Sequence, residues 1–260
     1  MRGVCFVACI VLSLTLEGFA GRAAASCTGT PAFGSPARFR IAADDVDAGG
    51  FSTAAGDFNG DQRLDLAVGA WAGTGAVSIL LGDGHGGFQP PRLVPTGSEP
   101  ALAIAAADFN RDGHVDLVLA VVDSLVVLLG DGTGAFAPPR ATRVAVDQNV
   151  TSLAVADFNG DQRPDVIVTM VDADAKRVSI ALLLGNSAGG FAAPTTVSLG
   201  DLTWALSVVA LDFNGDGRMD AAVAVGPWDP ATDKEFAPWA PLEGDPGALE
   251  YLARLMAEFD

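Results

Sequence analysis

The chain has 260 residues and a formal net charge of −17, because 32 acidic residues stand against 15 lysines and arginines. Half of the residues are hydrophobic and the mean hydropathy is +0.35, which excludes disorder of the chain as a whole. An acidic chain repels phosphate backbones and anionic lipid, so the composition argues against nucleic acid as a partner. Gly/Asp/Asn clusters alternate with short Val/Leu/Ala runs, which is typical of many short strands joined by tight turns.

Residues 1–25 have the pattern of a secretory signal peptide. Arg2 precedes an apolar run from Val4 to Leu16, and Ala23-Ala24-Ala25 offers a small-residue cleavage site. The apolar run is too short to span a bilayer comfortably. We therefore expect a secreted chain, extracellular or periplasmic, with no transmembrane span after cleavage.

Cleavage after Ala25 leaves Cys27 as the one cysteine of the mature chain. One cysteine cannot form an internal disulfide, so stability has to come from packing and bound metal. A lipid anchor on Cys27 is the alternative use of this residue. It is disfavoured because Ala24-Ala25-Ser26 lacks the leucine that usually precedes such a cysteine, and a free thiol is expected instead.

Beyond a lead-in with a partial strand at residues 26–50, the chain repeats an acidic motif four times. The motif spans nine residues with Asp, Asn, Asp and Asp at positions one, three, five and nine. Its copies begin 51, 49 and 55 residues apart, at Asp57, Asp108, Asp157 and Asp212. A second element, Leu-Gly-Asp/Asn followed by a phenylalanine seven positions after the leucine, keeps step with it at Leu81–Phe88, Leu129–Phe136 and Leu184–Phe191.

Each unit is expected to hold four strands, which is the size of a propeller blade. First strands precede the acidic loop, at 52–56, 102–107, 152–156 and 207–211, and apolar second strands follow it, at 66–70, 117–121, 166–170 and 221–225. Third strands run into the Leu-Gly turn, at 77–81, 125–129 and 178–184. A fourth segment begins at the phenylalanine and contains proline, which fits an edge strand.

The fourth unit stops after its second strand, so residues 51–226 hold three complete units and one half. The predicted fold class is therefore all-β, with propeller-type four-stranded blades in an incomplete ring. Residues 227–260 form a non-repeat tail with a composition shift, in which Asp245 and Pro246 begin a short helix. Its apolar stripe from Leu249 to Phe259 is expected to dock on the fold's own end.

The repeated loop has the ligands that calcium prefers, because Ca²⁺ takes six to eight oxygens. Positions one, three, five and nine supply side chains and position seven its backbone carbonyl, whereas zinc and copper prefer nitrogen or sulfur. A hydrated Asx turn is the alternative, which four filled copies disfavour. The expected side-chain ligands are Asp57, Asn59, Asp61 and Asp65; Asp108, Asn110, Asp112 and Asp116; Asp157, Asn159, Asp161 and Asp165; and Asp212, Asn214, Asp216 and Asp220, with the carbonyls of Arg63, His114, Arg163 and Arg218.

The helix–loop–helix type of calcium site requires an acidic residue at position twelve of its loop. Valine or leucine occupies that position in every copy, at Val68, Leu119, Val168 and Val223. That type of site is therefore excluded.

The loop and the repeat together resemble the FG-GAP/VCBS family, the seven-bladed β-propeller repeats of integrin α-subunits and of many secreted bacterial proteins. The resemblance covers residues 33–226 and implies one calcium ion per loop on the underside of the propeller. Three and a half units cannot close a seven-bladed ring. We therefore expect a fragment, a truncated gene product or half of an assembly, and self-association that completes the ring.

Catalysis has no support in the motifs. His85 lies in a Gly-rich turn and His114 in an acidic loop, both predicted to face solvent, and neither a Gly-x-Ser-x-Gly elbow nor a His- or Cys-rich metal site occurs in the sequence. The expected function is a calcium-stabilised adhesion or ligand-binding module for a protein or a glycan. The alternative is the propeller portion of a secreted enzyme whose catalytic domain lies elsewhere.

Overall fold

The computed structural model describes residues 50–70, 75–97, 100–145, 148–172, 177–200 and 204–226. Within these ranges the chain forms fourteen strands and no helix. The strands are β1 (Gly50–Gly56), β2 (Asp65–Ala70), β3 (Ala76–Leu80), β4 (Arg92–Pro95), β5 (Ala103–Ala107), β6 (Asp116–Val121), β7 (Ser124–Leu128), β8 (Arg140–Arg143), β9 (Asn149–Ala156), β10 (Asp165–Asp172), β11 (Arg177–Leu183), β12 (Thr195–Gly200), β13 (Trp204–Leu211) and β14 (Asp220–Gly226).

The strands form three four-stranded antiparallel sheets and one two-stranded sheet, each a meander in chain order. We call the sheet of β1–β4 repeat 1, that of β5–β8 repeat 2, that of β9–β12 repeat 3 and the pair β13–β14 the half-repeat. This architecture confirms the all-β prediction and its blade-like units. The described residues form an open stack of sheets and not a closed ring.

The second and third strands of each complete repeat are apolar and bury both of their faces, as their uniform Val/Leu/Ile composition predicts. All six residues of β6 are buried, and so are all five of β3. The sheets of repeats 2 and 3 each lie between two others, which covers both of their faces. Three hydrophobic clusters fill the spaces between consecutive sheets.

The fourth strands begin later than predicted. Phe88, Phe136 and Phe191 each pair only once, with the glycine of the Leu-Gly turn, and the strands β4, β8 and β12 start after the prolines that follow. Proline has no N–H to donate, so the ladder cannot run continuously from the phenylalanine through these residues. The edge position of these strands is as predicted.

The glycine of the Leu-Gly turn is required by close packing. A Cβ atom on Gly82, Gly130 or Gly185 would overlap the carbonyl oxygen of the residue at position eight of the acidic loop in the same repeat. The turn therefore presses its backbone directly against the loop.

Replacing Gly130 by alanine is expected to destabilise the chain by roughly 3 kcal/mol, because backbone has to move to admit the methyl group. Gly113→Ala is the control, since its Cβ would meet open space at a φ of +87°, and it should cost only about 1 kcal/mol. Urea unfolding in calcium measures both changes. Equal destabilisation would show that the Leu-Gly turn does not lie tightly on the loop.

The predicted signal peptide, the lead-in up to residue 49 and the tail with its short helix lie outside the described residues. Among the residues that are described, no helix is long and apolar enough to cross a membrane.

Candidate metal centre

The four acidic loops connect the first and second strands of the four sheets, as the sequence predicts. Because each sheet is an antiparallel meander, the loops lie at the same end as the Leu-Gly turns, which connect the third and fourth strands. The two recurring sequence elements of this chain therefore meet at one end of every complete repeat.

Each loop coils tightly because positions four and six both have left-handed backbone conformations. Glycine suits this region, but Arg111 occupies it at position four with a φ of 60°, and Gln62 at position six with a φ of 65°. The backbone is therefore strained at Arg111 and Gln62, because residues with a side chain rarely adopt this conformation. The left-handed residues are Gly60 and Gln62, Arg111 and Gly113, Gly160 and Gln162, and Gly215 and Gly217.

In the first loop, positions one, three and five converge. The N–H of Asp61 donates to Asp57 Oδ1 at 3.1 Å and to Asn59 Oδ1 at 3.0 Å, so these two oxygens lie side by side. Asn59 Nδ2 donates to Asp61 Oδ2 at 3.1 Å, and the N–H of Gln62 donates to Asp57 Oδ2 at 2.7 Å. Three oxygen-bearing side chains thus face the inside of one turn.

The other three loops repeat these bonds. The N–H at position five donates to the oxygens of positions one and three, the N–H at position six to position one, and the N–H at position seven to the carboxylate of position five. The same contacts occur in the loop of repeat 3 and in that of the half-repeat. One geometry is therefore built four times from one sequence pattern.

The aspartate at position nine behaves differently, because it is buried and faces the protein. In repeat 1, Asp65 Oδ2 accepts the N–H of Phe58 at 2.9 Å and Asp65 Oδ1 accepts the N–H of Gly82 at 2.7 Å. Equivalent pairs of bonds are made by Asp116 and Asp165. The ninth residue therefore ties the beginning of the loop to the Leu-Gly turn.

Sequence reasoning assigned position nine only as a calcium ligand and missed this second connection. The signal was present, because the Leu-Gly element accompanies every acidic loop that is followed by a third strand. In the half-repeat, Asp220 Oδ2 accepts the N–H of Phe213 at 3.0 Å.

The electrostatics of the loop differ between its two sides. Burial raises the pKa of the Asp116 and Asp165 carboxyls, although the N–H groups of the turn and the loop partly oppose this shift. On the exposed side, the N–H of His114 lowers the pKa of Asp112 and the N–H of Gly217 lowers that of Asp212. Burial thus disfavours the charged form of the ninth residue, whereas the loop N–H groups favour the charged form of the exposed aspartates.

The donor set fits calcium in chemistry: it consists of carboxylate and amide oxygens, each able to accept more than one contact. Oxygens of positions one and three are already adjacent.

Within the described part of the chain, however, no group of three or more Asp, Glu, His or Cys side chains is gathered closely enough to mark a metal site by acidic groups alone. Position nine is turned toward the Phe and Gly N–H groups. The ligand assignments, including the four carbonyls at position seven, stay predictions.

Both histidines are exposed, as expected. His85 Nδ1 lies 2.9 Å from the carbonyl oxygen of Asp83 within its own turn, and His114 is exposed at position seven of its loop. The side chain of neither histidine is a candidate calcium ligand.

The family model for the FG-GAP-like repeat matches residues 57–119, 108–168 and 170–223, which together cover more than half of the chain. The matched segments contain all four acidic loops. The chain belongs to the FG-GAP-like repeat family. Comparison with curated proteins gives no significant match.

Among solved structures, the chain is similar to one described as "Structural basis of specific recognition of non-reducing terminal N-acetylglucosamine by an Agrocybe aegerita lection". The identity is 22% and the TM-score is 0.43, and the match covers 65% of this chain. The chain spans 45% of that protein's length.

Proposed function

We propose that this chain is a secreted, calcium-binding β-propeller repeat protein in which calcium is structural. The observation that carries the proposal is the fourfold loop, in which the oxygens of positions one and three share one N–H donor and position five contacts position three. A single loop of this kind is also explained as an Asx turn. All four copies have the same residues at the ligand positions, and in three of them the aspartate at position nine is buried. This regularity favours a bound cation over a simple Asx turn.

Calcium is preferred over other divalent metals on ligand type and loop flexibility. An all-oxygen site disfavours zinc and copper. Magnesium keeps its waters and needs a smaller octahedron, so it competes weakly with calcium in a nine-residue loop. Three carboxylates per loop carry a repulsive charge of −3 without metal, and bound calcium would therefore contribute directly to folding.

The biological role proposed for this scaffold is adhesion or binding of a protein or glycan ligand. Calcium loops and Leu-Gly turns occupy one end of the sheets, so the ligand surface is proposed at the opposite end. Loops on rigid sheets are common binding elements. The second candidate, a propeller portion of a secreted enzyme, would require a catalytic domain joined to these repeats.

Secretion is proposed from the pattern of residues 1–25, which has a basic residue, an apolar run and a small-residue cleavage site. Self-association that completes the stack of repeats belongs to the same proposal, because Val209, Leu211 and Phe213 leave an exposed apolar surface on the half-repeat.

Calorimetric titration tests the calcium sites. The mature chain should bind about four calcium ions, one per loop, and the site of the half-repeat should be the weakest because no Leu-Gly turn supports Asp220 within the described residues. Asp112→Ala should remove one calcium equivalent, since it deletes a carboxylate from a loop that lies between complete repeats.

Asp131→Ala is the matched control for Asp112→Ala. Asp131 is also an exposed aspartate of repeat 2, and its Oδ1 also accepts an N–H two residues ahead, from Thr133 at 2.8 Å. It belongs to the Leu-Gly turn, however, and should leave calcium binding unchanged. Absence of a calcium heat in the unmodified chain would refute the proposal, and so would an equal loss in both variants.

A further inference from the structure

The Leu-Gly turn of one repeat packs on the loop of the repeat before it. Between repeats 1 and 2, the rings of Phe58 and Phe136 meet edge to face with centroids 5.8 Å apart. The N–H of Gly134 in the same turn donates to the carbonyl oxygen of Phe58 at 2.8 Å, and a Cβ atom on Gly134 would lie 3.2 Å from Leu81. A phenylalanine from the later repeat therefore closes the space beside the loop of the earlier one.

Repeats 2 and 3 are joined in the same way. Phe109 and Phe191 meet edge to face with ring centroids 5.7 Å apart, and Gly189 of the third turn lies against Leu129. The loop phenylalanine is 2% exposed at this junction and 1% exposed at the first one. Each junction thus combines the loop phenylalanine and the turn leucine of one repeat with an incoming phenylalanine of the next.

The junction between repeat 3 and the half-repeat has the first two of these groups. Phe158, the loop phenylalanine, and Leu184, the turn leucine, line an open cleft of about 620 Å³. Phe158 is only half-buried. Leu182 in the same cleft is also only partly buried, although Ile79, its counterpart in β3, is 0% exposed. This cleft, which we call the junction cleft, is an apolar site that the described residues leave open.

The half-repeat forms the other wall of the junction cleft. Met219, at position eight of the fourth loop, and Ala221 of β14 line this wall. Within the described residues β14 pairs with β13 alone, so its other edge is free. In the complete repeats the equivalent edge of the second strand pairs with the third strand, which leads to the incoming phenylalanine. A segment that runs back along the free edge of β14 would therefore arrive in the cleft.

We propose that the junction cleft binds Phe236 of the chain's own tail, with its ring against Phe158 as the incoming rings lie at the two complete junctions. The tail follows β14 directly, since β14 ends at Gly226. Phe236 comes ten residues later, and β14 has seven residues. At about 3.3 Å per residue, a segment as long as β14 retraces the strand to its loop end. The tail is thus long enough to turn and bring Phe236 level with Met219.

The sequence around Phe236 supports this occupant. Phe236-Ala237-Pro238 repeats Phe136-Ala137-Pro138, with which the fourth segment of repeat 2 begins. Ten residues are too few for a third strand and a Leu-Gly turn, so the tail would reach the cleft directly along β14 and would contribute the aromatic contact alone. The inference goes beyond the calcium proposal and does not depend on it, because the contacts that carry it are apolar.

Hydrogen–deuterium exchange of the mature chain tests the docking, with the amides of residues 158–167 and 219–223 as reporters. Phe236→Ala is expected to speed their exchange at least about tenfold, because loss of a buried phenylalanine opens both walls of the cleft. Exchange in repeat 1 is the internal reference for folding. Phe33→Ala and Phe259→Ala are the controls, since they remove the same side chain from the lead-in and from the end of the tail. An unchanged exchange in Phe236→Ala would overturn the inference, and so would an equal change in either control.

A disulfide trap tests whether the docked residue belongs to the same copy of the chain. In a Cys27→Ser background, Ala237→Cys and Met219→Cys place two thiols beside the proposed contact, and a disulfide forms only if their Cα atoms approach within about 7 Å. Oxidation should join them within one chain, and the further change Phe236→Ala should suppress the bond. Leu64→Cys in place of Met219→Cys is the matched control, because Leu64 is also an exposed residue at position eight of its loop. Disulfide-linked dimers, no disulfide, or equal trapping at residue 64 would each contradict docking within one chain.

Discussion

Chelation of calcium with EGTA is expected to lower the melting temperature of the mature chain by more than about 20 °C. Free calcium at one hundred times its dissociation constant stabilises a protein by about 2.7 kcal/mol per site, so four loops together contribute about 11 kcal/mol. A shift of 1 kcal/mol moves the melting temperature of a domain of this size by about 2–4 °C. Differential scanning calorimetry with and without EGTA measures the change.

The physical reason for so large an effect is the density of charge in the loops. Each loop holds three aspartates within nine residues, and one of the three is buried in every complete repeat. Without a cation, folding has to bring these carboxylates together against their repulsion. EGTA already saturated with calcium is the control and should leave the melting temperature unchanged. A chain that melts at the same temperature in EGTA would contradict the structural role of calcium.

Asp116→Asn is expected to destabilise the chain by about 5 kcal/mol in calcium, roughly twice the effect of Asp112→Asn. Both variants lose one calcium ligand, which removes at most about 2.7 kcal/mol under the same conditions. Asp116 additionally accepts the N–H groups of Phe109 and Gly130 in the interior. An amide has one acceptor oxygen, so one buried N–H is left without a partner at a cost of about 1–3 kcal/mol.

Urea unfolding of the two variants at the same free calcium separates the two roles of position nine. Asp112 is exposed and accepts the N–H of His114 within the loop, so Asp112→Asn reports on the metal site with little effect on the interior. If the two variants lose equal stability, Asp116 acts as a calcium ligand alone. The connection between the loop and the Leu-Gly turn would then have no energetic importance.

Much of the fold could be predicted because the same sequence pattern occurs several times along the chain. The spacing of the acidic motifs and the apolar runs on both sides predicted strands such as β2, β6 and β10 to within two residues at either end. Their uniform hydrophobicity predicted burial on both faces, which the structure confirms. Repetition made these predictions firm, since a strand boundary in one unit is checked by its counterparts.

The starts of the fourth strands were harder to predict, because prolines separate the phenylalanine that begins the segment from the strand that ends it. Phe136 makes one bridge with Gly130 and then packs on Phe58 of the preceding repeat. A contact between repeats leaves no periodic signal within one repeat, so the role of this phenylalanine was not predicted.

The second role of Asp116 escaped prediction for a related reason. The calcium pattern by itself accounts for an aspartate at position nine, so nothing in the motif indicates a second partner. Its bond to Gly130 depends on the sheet bringing the third strand back beside the second. That proximity is a property of the fold and is not visible in the spacing of the ligands.

The bonds of the buried aspartates have a consequence for how chains of this kind change in evolution. The bonds of Asp65, Asp116 and Asp165 to the loop phenylalanine and to the Leu-Gly turn join groups 7 to 20 residues apart, so each of these connections closes inside its own repeat. The phenylalanine contacts, in contrast, join neighbours. A gene duplication or deletion in register with the repeat would therefore copy or remove complete loops without damaging those that remain. Only the identity of the terminal surfaces would change, and with it the set of partners the molecule can accept.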